Sequence, residues 1–280
     1  MSLELIQKEV TELYYNHFKD YQGGMNLSRP HIPLISEAFL QNRIIILGQE
    51  TNTWYRQGED DLLNFYLKNH NSHDPYYGTE PYLEFIRDSV ERYPGKFWEF
   101  AKKLYDKGLI EGPIQKNGHL GHCWLNLFSV EAVSEKGNTK GRPTNDPLLS
   151  KKIIDLQQNL LLNLLKLLKP KLLIALTGRK LNPQLFNQSL GLPWEEIEWI
   201  TIDETGIFND QHVSEVKIIN SEHPLFGVKI IQAYHPSFFM GRINGTKKIR
   251  NKMDGQAIND SISQYYQNIL FKWLKENIKN

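Results

Sequence analysis

Three short stretches of this chain place polar, chemically capable side chains directly after apolar runs. In the first, Gly48, Gln49, Glu50, Thr51 and Asn52 follow Ile44 to Leu47. Gly48 lets the backbone turn sharply, the amides beyond it can point at an anionic or carbonyl oxygen, and Glu50 and Asn52 are set over the end of the run. The alternative is a capped helix start, with Thr51 or Asn52 as the cap. In the second stretch, Cys123 to Phe128, one amide interrupts an apolar run. A buried Asn126 must either bond neighbouring backbone or stand ready for the donor and acceptor edge of a ligand. In a strand, Trp124 and Phe128 share its face; they make an aromatic wall beside a planar ligand or fill the core, the latter being favoured for Phe128.

The third stretch runs from Ala233 to Arg242. His235 leaves the end of an apolar run, Pro236 fixes the turn, Ser237 can donate to a phosphate, and Phe238, Phe239 and Met240 follow in a loop. Aromatic residues so placed either lie buried under neighbouring loops or form a wedge that enters stacked bases. Directly downstream, Arg242, Lys247, Lys248, Arg250 and Lys252 occur with no acid among them. Phosphates are natural partners of such a patch because each contact releases condensed counterions; a solvated surface is the ordinary alternative. His119, His122 and Cys123 bring three metal-ligand types together, but no second cluster of metal-like spacing supports them, and no metal is expected. The Leu176 to Lys180 stretch lacks the spacing of a phosphate loop, so no nucleotide cofactor is expected either.

The elements that must position these residues are legible as alternation. Strand-like runs recur at Ile44 to Leu47, Cys123 to Phe128, Leu172 to Leu176 and Val228 to Tyr234, with helical patterns between them. That order predicts an α/β fold: a three-layer α/β/α sandwich around a central, mostly parallel sheet, with functional loops at the carboxyl ends of the strands. The residues from Glu215 to Pro236 predict a hairpin that turns at Pro224 and Gly227 and feeds His235. An amphipathic helix opens the chain, and a leucine-rich core helix runs from Ile153 until Pro170 stops it. A last helix covers roughly Gln256 to Lys275. Polar, turn-forming insertions fall at 56–81 and 134–147 within one domain spanning 1–280.

Composition narrows the setting. The chain has 280 residues and a formal net charge of +1, so a nucleic-acid partner would have to be met by a local patch rather than an overall field. A single cysteine excludes an internal disulfide and fits a reducing compartment. The start carries Glu4 and Glu9 and lacks the pattern of a signal peptide, and the leucine-rich run is too interrupted by polar residues to cross a bilayer. A cytoplasmic protein without a membrane partner is the expectation.

An acid after a first strand, an amide at a second, and His-Pro-Ser after a last resemble the uracil-DNA glycosylase superfamily. In that family the first motif reads Gly-Gln-Asp-Pro-Tyr, the middle strand ends in an Asn that reads the base, and His-Pro-Ser precedes an intercalating loop. Lys169 to Gly178 also looks like the family's third strand. The resemblance spans Ile44 to Arg242, with sparse identity outside the motifs. It implies that Glu50 orients a water and stabilises positive charge on the sugar, and that His235 supports the departing base. Gln49, Asn126 and Trp124 would then contact a flipped base, and Ser237, Phe238, Phe239, Arg242, Lys247, Lys248 and Arg250 would hold DNA. The activity so implied is that of a monofunctional DNA glycosylase, a monomer serving base excision or defence against modified foreign DNA.

The departures bear on the substrate. Thr51 and Asn52 stand where the family has Pro and Tyr, and that Tyr keeps 5-substituted pyrimidines out. The expectation is therefore a pyrimidine modified at carbon five, such as a phage hydroxymethylcytosine, with Tyr76 and Tyr77 supplying a pocket wall. Glu50 is one methylene longer than Asp, and Asn52 is the rival for water placement. An amide at position 126 fits uracil or cytosine according to its flip. A DNA-binding module that has lost catalysis and a small-molecule hydrolase on a similar sheet are the competing readings.

Overall fold

The computed structural model of the chain describes residues 2–48, 61–87, 96–114, 120–133, 144, 146–178, 183–208, 210–234, 249–250, 257–258 and 262–278. Its centre is a six-stranded mixed sheet in the order β2-β1-β3-β6-β5-β4. The strands are β1 (Ile44–Gly48), β2 (Cys123–Asn126), β3 (Leu172–Ala175), β4 (Ile197–Thr201), β5 (Val213–Ile218) and β6 (Lys229–Ala233). β2, β1, β3 and β6 are parallel to one another, whereas β5 and β4 extend the sheet antiparallel beyond β6. The central runs are apolar on both sides because helices cover both faces, as a parallel sheet requires.

Side-chain alternation divides the core in two. Ile45, Leu47, Leu125, Leu173 and Ile230 face one buried cluster, together with Ile6, Val10, Tyr14 and Phe18 of α1 (Leu3–Phe18). Ile44, Ile46, Trp124, Leu172, Ile174 and Ile231 face the other. Opposite them lie Phe100, Ala101 and Leu104 of α5 (Lys96–Asp106) and Tyr266, Leu270 and Leu274 of α9 (Ile262–Ile278). The buried residues of α1 recur every fourth position, which puts them on one helical face, and Ser2 caps that helix by accepting from the Leu5 amide. Two short helices, α2 (Glu37–Asn42) before β1 and α8 (Pro183–Ser189) after β3, complete the connections near the sheet.

Several expectations are corrected. The leucine-rich run is two helices, α6 (Pro147–Leu156) and α7 (Leu160–Leu168), separated by a break at Asn159 with φ 67°. The break frees Gln157, whose Oε1 accepts from the amides of Ser129 (2.5 Å) and Val130 (2.9 Å) while its Nε2 donates to the Val130 carbonyl (3.1 Å). The region expected as an insertion at 56–81 contains α3 (Leu62–Lys68) and leads into α4 (Glu80–Phe85), with Leu62, Leu63 and Tyr66 buried. α9 starts at Ile262 rather than near Gln256, since Ala257 and Ile258 form β8 and pair antiparallel with β7, Ile249–Arg250. Most of the second insertion, 134–143 and 145, lies outside the described residues, as do 56–60. The hairpin of β5 and β6 is as expected, turning through Gly227 at φ 79°.

Candidate functional site

The site is built on one edge of the sheet. Parallel pairing sets Leu47 beside Ala175 and Ala175 beside Gln232, so β1, β3 and β6 end side by side, and Gly48 pairs with Asn126 at the end of β2. The chain steps from β1 to β2 on one side and then crosses back from β2 to β3 on the other side of β1, and such a reversal of strand order is a switch point where α/β folds hold ligands beyond the strand carboxyl ends. Each of the three motifs follows one of these strand ends. Glu50, Asn52, Gln49, His235, Ser237, Phe238, Phe239, Arg242, Lys247 and Lys248 lie outside the described residues, as does the side chain of Arg250.

Asn126 is the described heart of the site. It is 3% exposed, and its Oδ1 accepts from the indole Nε1 of Trp124 at 3.2 Å. Its Nδ2 is buried and has no hydrogen-bond partner among the described residues. A β-carbon at residue 48 would collide with Asn126 Oδ1, so only glycine at the end of β1 leaves room for this amide. Alternation on β2 sends His122, Trp124 and Asn126 to one face and Cys123 and Leu125 to the other.

Trp124 sits in an aromatic nest. Its ring lies 4.4 Å from His31 and 5.0 Å from Trp98, both edge-on, with Phe85 at 5.3 Å, Tyr82 at 5.7 Å and Phe97 at 5.9 Å. Such packing holds the indole in one orientation and aims its N–H along the strand. The hydroxyl of Tyr82 is buried without a partner among the described residues. Nothing local in the sequence marks the residues that enclose Trp124 beyond the alternation of polar and aromatic side chains on β2.

His122 is a buried structural group. The Tyr105 hydroxyl accepts from the Gly121 amide (2.9 Å) and is hydrogen-bonded to His122 Nδ1 at 2.6 Å. Burial pulls the His122 pKa down to about 3, so the ring is neutral. Cys123 points to the opposite face, and burial pushes its thiol up, so the two cannot share an ion. Among the described residues, no group of three or more His, Cys, Asp or Glu is arranged to hold a metal. His119 lies outside them.

Three residues expected near Asn126 are placed elsewhere. Phe128 does not continue the face of Trp124: β2 ends at Asn126, the chain turns as Gln157 grips Ser129 and Val130, and Phe128 joins the α1-side cluster. Tyr77 packs on that same cluster, stacked 5.2 Å from Tyr66, with its hydroxyl donating to the Tyr66 carbonyl at 3.0 Å. Tyr76 is exposed, and the tyrosine beside Trp124 is Tyr82.

The exit of β6 is pinned just before His235. Tyr266 donates to the Tyr234 carbonyl at 3.1 Å, and the Tyr234 amide donates to His212 at 3.2 Å. Gly178, at φ 63°, receives the Tyr234 ring in space that a side chain would fill. On the opposite face, buried Gln232 donates to Thr177 Oγ1 at 3.2 Å and ties the ends of β3 and β6 together. The ends of β3 and β6 are therefore tied to their surroundings by hydrogen bonds up to the residue before His235.

Compared with known proteins, the chain matches no protein-family model, no curated protein and no solved structure. No described helix is long and apolar enough to cross a membrane.

Proposed function

We propose that this chain has a uracil-DNA glycosylase-like fold and acts as a monofunctional DNA glycosylase, hydrolysing the N-glycosidic bond of a flipped uracil or 5-modified pyrimidine and leaving an abasic site. The observation that carries the reading is Asn126: a buried amide whose NH2 has no partner among the described residues, held over a glycine at the carboxyl edge where the acid and histidine motifs begin. An unmade hydrogen bond in a buried site is costly, so its presence favours a ligand group that completes it. The acid motif follows β1, adjacent to β2, and the histidine motif follows β6.

In this reading, Asn126 holds the Watson–Crick edge of the flipped base while Trp124 fixes the amide. Glu50 orients the attacking water and offsets positive charge on the sugar, and His235 hydrogen-bonds the departing base as negative charge grows on it. The bond between the sugar and the base nitrogen breaks, the water oxygen bonds to the sugar carbon, and the base leaves with a proton. Phe238 and Phe239 fill the gap in the stack, and Ser237, Arg242, Lys247, Lys248 and Arg250 hold phosphates.

The test is incubation with labelled duplex and single-stranded DNA carrying uracil, thymine or 5-modified cytosines, followed by alkali to break abasic sites. Cleavage that disappears in Glu50→Gln and His235→Ala supports the reading. No cleavage on any substrate, with salt-sensitive DNA binding intact, would replace it with a non-catalytic DNA-binding module. Failure to bind DNA as well would leave the small-molecule hydrolase.

A further inference from the structure

We infer that Trp124 is a specificity-determining residue: by locking the Asn126 amide in one orientation it selects a ring bearing a carbonyl, not an amino group, at the position that amide reads. Applied to DNA bases, the inference rests on the glycosylase reading and narrows it to 4-keto pyrimidines such as uracil, thymine and 5-hydroxymethyluracil.

An indole N–H can only donate. The Asn126 atom 3.2 Å from Trp124 Nε1 is therefore the oxygen, which settles the flip on chemical grounds. That oxygen also occupies the space above Gly48. What remains for a ligand is Nδ2, which is buried and without a partner among the described residues. Rotating the amide would set its NH2 against the indole N–H, two donors face to face. The indole cannot move aside readily, because His31, Tyr82, Phe85, Phe97 and Trp98 enclose it.

A 4-keto pyrimidine offers O4 to this N–H. A 4-amino pyrimidine brings N4–H2 to the same place, so donor meets donor and one buried hydrogen bond is lost. Such a loss corresponds to a preference of about tenfold or more. The substituent at carbon five does not enter this discrimination, so 5-hydroxymethyluracil and 5-hydroxymethylcytosine differ only at the group that Asn126 reads.

The experiment titrates free uracil and free cytosine into 15N-labelled protein and follows the Trp124 indole resonance, assigned by its absence in Trp124→Phe. Uracil should shift that resonance and bind at least about tenfold more tightly than cytosine. In Trp124→Phe, followed by calorimetry, the ratio should fall toward one because the amide is free to turn. Equal binding of the two bases to the wild type, an unchanged ratio in Trp124→Phe, or no shift with either base would overturn the inference. Should Trp124→Phe not fold, as judged by thermal melting, the wild-type ratio decides alone. A parallel excision assay compares DNA carrying 5-hydroxymethyluracil with DNA carrying 5-hydroxymethylcytosine. Excision of neither, nor of uracil from DNA carrying it, with uracil still preferred in the titration, removes the glycosylase reading and leaves the inference standing. Equally fast excision of both removes the inference and leaves the glycosylase.

Discussion

Gly48 and Asn126 are cross-strand partners at the carboxyl ends of β1 and β2, and the amide oxygen of Asn126 occupies the space where a β-carbon on residue 48 would stand. Gly48→Ala therefore displaces the amide and breaks its bond to Trp124. Overpacking of this kind costs about 1–3 kcal/mol of stability. Excision should fall by at least about a hundredfold, since an ångström of misplacement at a reacting site costs that much. Activity close to wild type in a folded Gly48→Ala protein would remove Asn126 from the site.

Gln157 anchors the chain where it leaves β2. Gln157→Leu removes an acceptor shared by two buried amides and a donor to the Val130 carbonyl. The expected loss is about 2–4 kcal/mol in urea unfolding, from backbone groups left buried without partners. A loss under about 0.5 kcal/mol, the size of an ordinary surface substitution, would show that the grip is incidental.

His122 makes stability depend on pH. Its folded pKa, about 3, lies below the unfolded value of 6.5, so between those limits the unfolded chain binds a proton that the folded chain does not. The neutral ring is at no disadvantage above pH 6.5, and stability falls as pH drops from there toward 3. Between pH 7 and pH 5 the loss assigned to this group is about 2 kcal/mol. His122→Gln keeps a hydrogen-bonding partner for Tyr105 and should reduce the pH 7 to pH 5 difference by about that amount; urea unfolding at both values reads it.

On the proposed glycosylase reading, Asn52 is the residue to test for the choice of 5-substituent. Asn52→Tyr should suppress excision of 5-substituted bases while sparing uracil, measured as a ratio of initial rates. An unchanged ratio would refute the role. The same assay ranks the water-positioning groups: an inactive Asn52→Ala beside an active Glu50→Gln would transfer the role from Glu50 to Asn52.

The basic segment is tested by salt. Replacing Lys247 and Lys248 together by Ala should lower the slope of log binding constant against log salt by about 2, uniformly across DNA sequences. An unchanged slope would place the phosphate contacts elsewhere.

Local order along the chain was sufficient to anticipate the parallel part of the sheet and the hairpin that contains β5, but not the edge strand β4. Four apolar runs correspond to the four parallel strands, and Pro224 with Gly227 marks the hairpin, because strand patterning and turn chemistry depend on immediate neighbours. The opening helix was legible for the same reason, in the spacing of Ile6, Val10, Tyr14 and Phe18. Asn126 stood out for an equally local reason, as the one amide in the apolar run from Cys123 to Phe128.

Partners across the fold were decided only by tertiary structure. Residues 153–168 are uniformly helix-forming by pattern, yet the helix breaks so that Gln157 can satisfy Ser129 and Val130, about a tenth of the chain away. Tyr76 and Tyr77 had the right composition for a pocket wall, but Leu63 and Tyr66 draw their neighbourhood to the α1 side and Tyr82 takes the place beside Trp124. The flip of Asn126 was open in the sequence and is set by an indole two residues away, whose own orientation depends on His31, Phe85 and Trp98 from other segments. Periodicity specifies which face a side chain occupies. Which donor meets which acceptor depends on elements distant in sequence coming into contact, and that geometry exists only in the folded chain.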